Sequence, residues 1–385
     1  MSLIKRKLFL KFIEHPKLVF TQILKALKWQ DGRVYEDHQN SHLFILPAEI
    51  LAEIRLELQS IVGKKVAKNM LYNLNQLSAD AIIKDAIEQD FKEKDLLRYF
   101  LAIMSLFGWG SAEQFEFDPV TGKGIVSISR FPQSSKPQPE PVHDDFSGIL
   151  ARALELSYGK KCEVREISCC EMGKGDVCTY EIQPITEGSP AMVSKIDIQD
   201  QAKLDAKNIS SPPDFERLIE QISMPESGVL VYGEKNALKR LIIKDVASIN
   251  SMFLKTADLI GWKTIGPICF RVGRNTALNE IAKKKPLDLK KITDYLQELS
   301  YFGWGLFNLE DKGSGIYYVI VTNSPFTAGF PIQQTATDYL LAGVLEGLFE
   351  ALEGNRVNVK EVECTAKGDK RCLFEITPLG FKKTD

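Results

Sequence analysis

Between residues 46 and about 87 apolar side chains recur three and four positions apart, with Ile50, Leu51, Ile54, Leu58 and Ile61 on one side. That period predicts helix. Residues 96–106 continue it and close on Phe107-Gly-Trp-Gly110, whose glycines act as a stop. The period then shortens. Residues 115–128 alternate around a turn carrying Pro119 and Gly122, the signature of a hairpin. After a Pro- and Ser-rich loop over 131–142, a helix is predicted over 144–158, ending at Gly159. Residues 163–168 and 177–183 read as a second hairpin whose turn holds Gly173 and Gly175.

The same order returns downstream. Helices are predicted over 237–284 and 288–301, a hairpin over 306–321 turning at Gly313-Ser-Gly315, a helix over 336–352 and a last hairpin over 357–376. The punctuation repeats at a nearly constant offset: Gly148 lies 195 residues before Gly343, as does Phe107-Gly-Trp-Gly110 before Phe302-Gly-Trp-Gly305. Ile61-Val-Gly-Lys-Lys matches Leu259-Ile-Gly-Trp-Lys at an offset of 198. The repeat unit is a domain rather than a solenoid module. The expected class is α+β, with two tandem copies of an antiparallel four-stranded sheet, made of two hairpins, packed against helices. The expected domains are 30–185 and 215–380, joined by a linker over 186–214 that contains Gly188-Ser-Pro190 and Ser210-Ser-Pro-Pro213.

Composition narrows the function class. The chain has 385 residues, 44% hydrophobic and 26% charged, ample for two cores. A net charge of -2 argues against a general nucleic-acid surface, which needs concentrated Lys and Arg. No run of 18 apolar residues spans a membrane, and no secretory signal is visible, so a cytoplasmic location is expected. Seven cysteines, an odd number, fit a reducing compartment better than a disulfide framework.

Residues 1–29 depart from that average. Lys5, Arg6, Lys7, Lys11, Lys17, Lys25 and Lys28 face one acid, Glu14, among Leu8, Phe9, Phe12, Ile13, Leu18, Phe20, Ile23, Leu24 and Leu27. This is a basic amphipathic helical segment, broken near Pro16. It either makes a peripheral membrane or partner contact through residues 1–28, or packs its apolar side on the domain behind it, which is the commoner outcome.

The chemistry lies in the last hairpin of each copy. The first reads Glu166-Ile-Ser-Cys169, then Gly175-Asp176-Val-Cys178; the second reads Glu361-Val-Glu-Cys364, then Gly368-Asp369-Lys-Arg-Cys372. Two thiolates, a carboxylate and one more ligand suffice for tetrahedral zinc. Side chains alternate along a strand, so a Glu and a Cys three apart share a site only if Cys169 and Cys364 lie past the strand end. The helix starts offer a fourth ligand in register, His143 and Asp338, each 26 residues before its cysteine. Asp144 or Asp145 are alternatives to His143, and Cys170 competes with Cys169. Free cysteines are ordinarily small buried hydrophobes, and packing would explain these too.

These residues carry a resemblance. The Glu-x2-Cys, Gly-Asp and Cys-x-Phe/Tyr-Glu-Ile ending, after a helix and a Gly-Trp-Gly hairpin, resembles the 4-vinyl-reductase, or hydrocarbon-binding, domain family. Relatives of that fold include phenol-sensing regulator domains and subunits of the TRAPP tethering complex. The resemblance implies structural zinc on His143, Glu166, Cys169 and Cys178, and on Asp338, Glu361, Cys364 and Cys372. His143 and Asp338 stand where the phenol sensors have Cys, and Asp338 makes the second site the weaker. It also implies that the two copies pair as an intrachain pseudo-dimer.

A closed four-ligand site stabilises rather than catalyses. No phosphate loop, His-Glu-x2-His or Gly-x-Ser-x-Gly motif accompanies it. The expected function is therefore a non-enzymatic, cytoplasmic binding or sensor protein for a small hydrophobic ligand, acting through a protein partner. Tyr72, Phe107, Trp109, Phe270, Phe302 and Trp304 are pocket candidates, with plain core packing as the alternative. The other readings are a membrane-associated scaffold resembling the tethering subunits, and an accessory or reductase in tetrapyrrole metabolism.

Overall fold

The computed structural model describes residues 16–36, 41–76, 79–80, 82–83, 87, 94–132, 137–173, 175–185, 209–233, 238–281 and 287–379. The chain forms two compact units: Met1–Ala26, Leu46–Ile196 and Ile219–Lys244 make the first, and Leu27–Ile45, Asp197–Leu218 and Asp245–Asp385 the second.

In the first unit, α1 (Pro16–Ala26) precedes α2 (Ala48–Val62), α3 (Lys64–Asn75) and α4 (Lys94–Leu106). Then come β4 (Ser111–Asp118), β5 (Lys123–Ser129), α5 (Asp144–Tyr158), β6 (Cys162–Ser168) and β7 (Val177–Pro184). The sheet is antiparallel in the order β4-β5-β7-β6, as the two-hairpin reading requires. Its inward positions, Val126, Ile128, Val164, Tyr180 and Ile182, and the α5 positions Phe146, Ile149, Leu150 and Leu154 are buried, which is the period-2 and period-3.6 pattern of a sheet covered by a helix.

The second unit repeats this plan. It contains α7 (Val246–Ile260), α8 (Trp262–Ile281), α9 (Leu289–Tyr301), β11 (Leu306–Gly313), β12 (Ile316–Thr322), α10 (Tyr339–Glu353), β13 (Val357–Glu363) and β14 (Cys372–Pro378). The sheet order is β11-β12-β14-β13. Both copies are thus α+β with a four-stranded antiparallel sheet, as expected.

Two helical expectations need correction. Leu46 ends a strand, β3 (Ser41–Pro47), and helix starts only after Pro47, a residue that leaves its strand-end conformation at φ -55° and ψ 132°. The run over 237–284 likewise opens with β10 (Lys239–Asp245), and Asp245 caps α7 by accepting from Ser248 N at 2.8 Å. Each run is further split at a glycine, Gly63 or Gly261, with φ of 82° and 80°. Residues 186–208 of the expected linker and 1–15 of the basic segment lie outside the described residues. From Pro16 onward that segment buries Phe20, Leu24 and Leu27, and α1 gives way at residue 27 to a strand.

Short strands precede each helical block: β1 (Leu27–Gln30) and β2 (Arg33–Glu36) before β3, and, after α6 (Pro213–Glu220), β8 (Ser223–Glu226) and β9 (Val229–Tyr232) before β10. Their placement is reciprocal. The strands that precede the second repeat lie in the first unit, where Ile243 N donates to Phe107 O at 3.0 Å and Gly110 N to Gly228 O at 3.1 Å. The strands that precede the first repeat lie in the second unit, where Ile45 N donates to Phe302 O at 2.8 Å and Gly305 N to Gly32 O at 3.0 Å. Each Phe-Gly-Trp-Gly segment is thus a socket for the strands of the other repeat.

Candidate metal centre

Local backbone geometry brings the Glu-x2-Cys residues to one side. The β6–β7 register slips between Glu166 and Ser168, and β13–β14 slips identically between Glu361 and Glu363. Such a bulge re-aims side chains that strict alternation would send to opposite faces. Cys169 and Cys364 follow directly after the strand ends, and a short 3-10 turn leads back to Cys178 and Cys372.

In the first unit, His143, Glu166, Cys169 and Cys178 are all buried, and one ligand atom from each lies within 4.8 Å of all the others. His143 Nδ1 is 2.8 Å from Glu166 Oε1, 3.4 Å from Cys169 Sγ and 3.6 Å from Cys178 Sγ. Donor atoms bound to zinc at about 2.0–2.3 Å in a tetrahedron stand roughly 3.3–3.8 Å apart. The nitrogen–sulfur edges already have that length, and only the nitrogen–oxygen edge must open. The backbone holds the same pair together, since His143 N donates to the other oxygen of Glu166 at 2.7 Å. Cys170 stands just outside: its Sγ is 3.1 Å from Cys178 Sγ, and its N–H points to the same sulfur at 3.3 Å. Asp144 and Asp145, the alternatives at the helix start, are not in the group.

Electrostatics favours a cation here. Burial would lower the pKa of His143, but contacts with Cys169, Glu166 and Glu171 outweigh it and hold the ring well above its ordinary value. Hydrogen bonds from Cys170 and Cys178 hold Cys169 far down toward the thiolate, whereas those same contacts and burial push Cys178 far up. The donors cannot all ionise on their own. A divalent cation would allow it, because its binding releases the ligand protons. The donor set, one nitrogen, one oxygen and two sulfurs, suits zinc.

The second unit brings Glu361, Cys364 and Cys372 together. Asp338 occupies the position of His143 at the helix start, fully buried, and its N–H donates to Glu361 Oε2 at 3.2 Å. Its carboxylate is engaged elsewhere: Oδ2 accepts from Ser324 Oγ at 2.6 Å, and it is not among the grouped ligands. Burial pushes Asp338 up to about 7 and Glu361 up to about 10, while the hydrogen bond with Cys372 lowers Cys364 to about 5. The second cluster therefore carries protons where the first presents a histidine.

Beside the first cluster lies a cavity of about 330 Å³ between α3, α5 and β6, and Glu166 belongs to both. Tyr72, Ala151, Cys162 and Val164 give it apolar walls; Lys68, Asp144, Arg152 and Glu155 ring it with charge. The corresponding interhelical region of the second unit has a pocket of about 10 Å³, room for at most one water. The cause is legible in the helices. In the second unit Gly266, Gly273 and Gly347 meet the Tyr339 ring, Leu340 O and Arg274 O, so α8 and α10 approach closely. The corresponding positions of the first unit are Lys68, Asn75 and Arg152, whose side chains hold α3 and α5 apart.

Of the six residues expected to line a pocket, Tyr72 does. Trp109, Phe302 and Trp304 are buried and Phe107 and Phe270 half-buried, and four of them serve the sockets instead. Trp304 Nε1 donates to Ile45 O at 2.7 Å, and Lys244 Nζ stands 4.3 Å over the Trp109 ring. Sequence reasoning missed Arg55 and Glu171, both buried. Arg55 Nη2 donates to Glu171 Oε1 at 2.7 Å, and that oxygen is 3.2 Å from His143 Nε2.

Fold and site define an α+β domain built twice, with a buried donor cluster at the tip of its last hairpin. Residues 317–378 match the vinyl-4-reductase domain family, so the second copy carries that domain and the resemblance drawn from its Glu, Cys and Cys residues holds. An uncharacterized protein of Methanocaldococcus jannaschii is 44% identical over 48 residues, which are 12% of this chain and 29% of that relative's length. Three solved structures resemble the chain over part of its length. They are the phenol-responsive sensory domain of the transcription activator PoxR with phenol (TM-score 0.37, 19% identity, 44% of this chain and 90% of that one), a vinyl-4-reductase family protein from Methanocaldococcus jannaschii (0.26, 16%, 33% and 80%), and a trafficking protein particle complex subunit 3 from Naegleria fowleri covalently bound to palmitic acid (0.27, 14%, 36% and 93%). Among the described residues no helix is long and apolar enough to cross a membrane.

Proposed function

We propose that the chain is a non-enzymatic binding protein, a sensor of a small ligand, in which a structural zinc ion on His143, Glu166, Cys169 and Cys178 braces the first unit's ligand cavity. One observation carries this reading: Glu166 is both a member of the donor cluster and a wall of the cavity. A ligand that presses on that wall acts on a group whose position the cluster fixes. The zinc would supply positive charge and hold the tip of the β6–β7 hairpin to the start of α5. With four protein donors it has no open position for water, which favours bracing over hydrolysis.

The cavity's chemistry narrows the expected hydrophobic ligand to one with an apolar body, for Tyr72, Ala151 and Val164, and a polar end, for Lys68 or Arg152. Burial pushes Tyr72 up to about 12, so its hydroxyl stays neutral, where it accepts from Val164 N at 3.3 Å. The second copy, with glycine-closed helices and a protonated Asp338, has the supporting role.

The probe 1-anilinonaphthalene-8-sulfonate, an apolar body with an anionic end, tests the cavity in the full chain. Binding should raise its fluorescence, and Ala151→Phe, which fills the cavity, should abolish that rise while leaving the thermal transition in place. Equal fluorescence from a folded Ala151→Phe protein would refute the cavity as the binding site. Native mass spectrometry of the purified chain would reveal a co-purified ligand directly.

A further inference from the structure

The first cluster has a charged backing that the second lacks at all three corresponding positions. Arg55 sits at the eighth position of α2, Glu171 in the 3-10 turn between Cys169 and Cys178, and His143 at the start of α5. Their counterparts, at the eighth position of α7, in the turn after Cys364 and at the start of α10, are Phe253, Ala366 and Asp338. Histidine, glutamate and arginine in one copy thus answer to aspartate, alanine and phenylalanine in the other. All six are buried. A buried Arg–Glu pair is costly to desolvate and is a poor device for stability alone, so its presence where the sister copy uses apolar residues calls for a purpose.

The geometry gives one. His143 Nδ1 faces the two sulfurs and the Glu166 carboxylate, so Nδ1 is the nitrogen that would carry the metal. Its Nε2, fully buried, is 3.2 Å from Glu171 Oε1, an ion-pair distance whose angle leaves Nε2 without an aligned hydrogen bond. Glu171 Oε1 is held in turn by Arg55 Nη2 at 2.7 Å. A metal-ligating histidine is commonly oriented by a carboxylate at its other nitrogen, which fixes the proton there and raises the basicity of the ligating one. Aspartate, which has no second nitrogen to place, needs no such backing.

We propose that Arg55 and Glu171 are positioning residues for a metal bound through His143 Nδ1: Glu171 accepts the Nε2 proton, Arg55 fixes the Glu171 carboxylate, and the pair makes the first unit the preferred metal site. This rests on the metal reading given above. It goes further by naming the ligating nitrogen and two residues that touch no metal.

The test uses the full chain with the second cluster disabled by Cys372→Ser, and Co(II) as the probe metal. Glu171→Ala should weaken Co(II) binding about 10- to 100-fold. Glu171→Gln, whose carbonyl still accepts from Nε2–H, should recover most of it. Because Glu171→Ala strands a buried guanidinium, the deciding variant is R55F/E171A, which installs the second copy's apolar pair and should melt like the parent without metal. It should nonetheless bind Co(II) as weakly as Glu171→Ala. Ring-nitrogen NMR of the Zn(II) form should show His143 ligated at Nδ1 and protonated at Nε2. If the parent takes up no Co(II), the metal reading fails and the relay with it. If the parent binds and a folded R55F/E171A binds within twofold of it, or if His143 ligates through Nε2, the relay alone is wrong.

Discussion

Gly148 on α5 lies against the backbone of Tyr72 on α3, so closely that a Cβ there would overlap the Tyr72 carbonyl oxygen. Gly343 stands in the same relation to Phe270 O, 195 residues later in the chain. Both helix pairs cross at this point, and neither backbone can yield without moving its sheet-covering face. Gly148→Ala and Gly343→Ala should each destabilise their unit by roughly 1–3 kcal/mol or more, the cost of overpacking a close-packed contact. Chemical denaturation would measure it. A variant as stable as the parent would mean that the helices are not held at this separation.

The repeat was legible because such constraints recur in it. Paired glycines, the Phe-Gly-Trp-Gly segments and the Glu, Cys and Cys residues each mark a place where only one or two residue types fit. The strands at 27–47 and 223–245 were not legible. β8 carries Pro225 and β9 is four residues long, too short to show alternation, while the apolar Leu241-Ile-Ile243 of β10 merges with the helical run after it. Their exchange between units is a tertiary choice that no local pattern encodes. Arg55 was concealed differently. It sits beside Ile54 in an amphipathic helix, where a charge reads as solvent-facing until its partner is known, and Glu171 is separated from it by 116 residues. The cluster residues themselves share one hairpin and one helix start, which is why spacing alone assembled them.

The sockets make the two Trp residues sensitive positions. Trp304→Phe keeps the ring's bulk but removes the donor to Ile45 O, leaving a buried carbonyl unsatisfied. A loss of about 1–3 kcal/mol is expected. Hydrogen exchange should show the faster opening at β3, on which Ile45 lies. Unchanged exchange there would contradict the socket.

Breaking the buried ion pair on one side should be far worse than removing it. Arg55→Ala leaves the Glu171 carboxylate buried without its guanidinium and should cost about 3–5 kcal/mol, whereas the R55F/E171A pair should recover most of that loss. A thermodynamic double-mutant cycle settles the point. Additive effects would show that the two side chains do not interact.

Asp144 gives a pH signature. Burial raises its pKa from the ordinary 3.8 to about 6, against the pull of Lys68 and with further push from Asp145 and Glu166. The folded state therefore holds this proton more tightly than the unfolded chain, so the contribution is full below pH 3.8 and fades as pH rises toward 6. Asp144→Asn should flatten that part of the stability–pH curve and leave the protein more stable than the parent at neutral pH. A parallel curve for the variant would place the titration elsewhere.

The most direct test of the account is the metal content of the full chain beside Cys178→Ser and Cys372→Ser, measured by elemental analysis after purification without chelators. The parent and Cys372→Ser should each hold close to one zinc per chain, held by the first unit, and Cys178→Ser should hold little. No metal in the parent, or metal kept by Cys178→Ser and lost by Cys372→Ser, would contradict it.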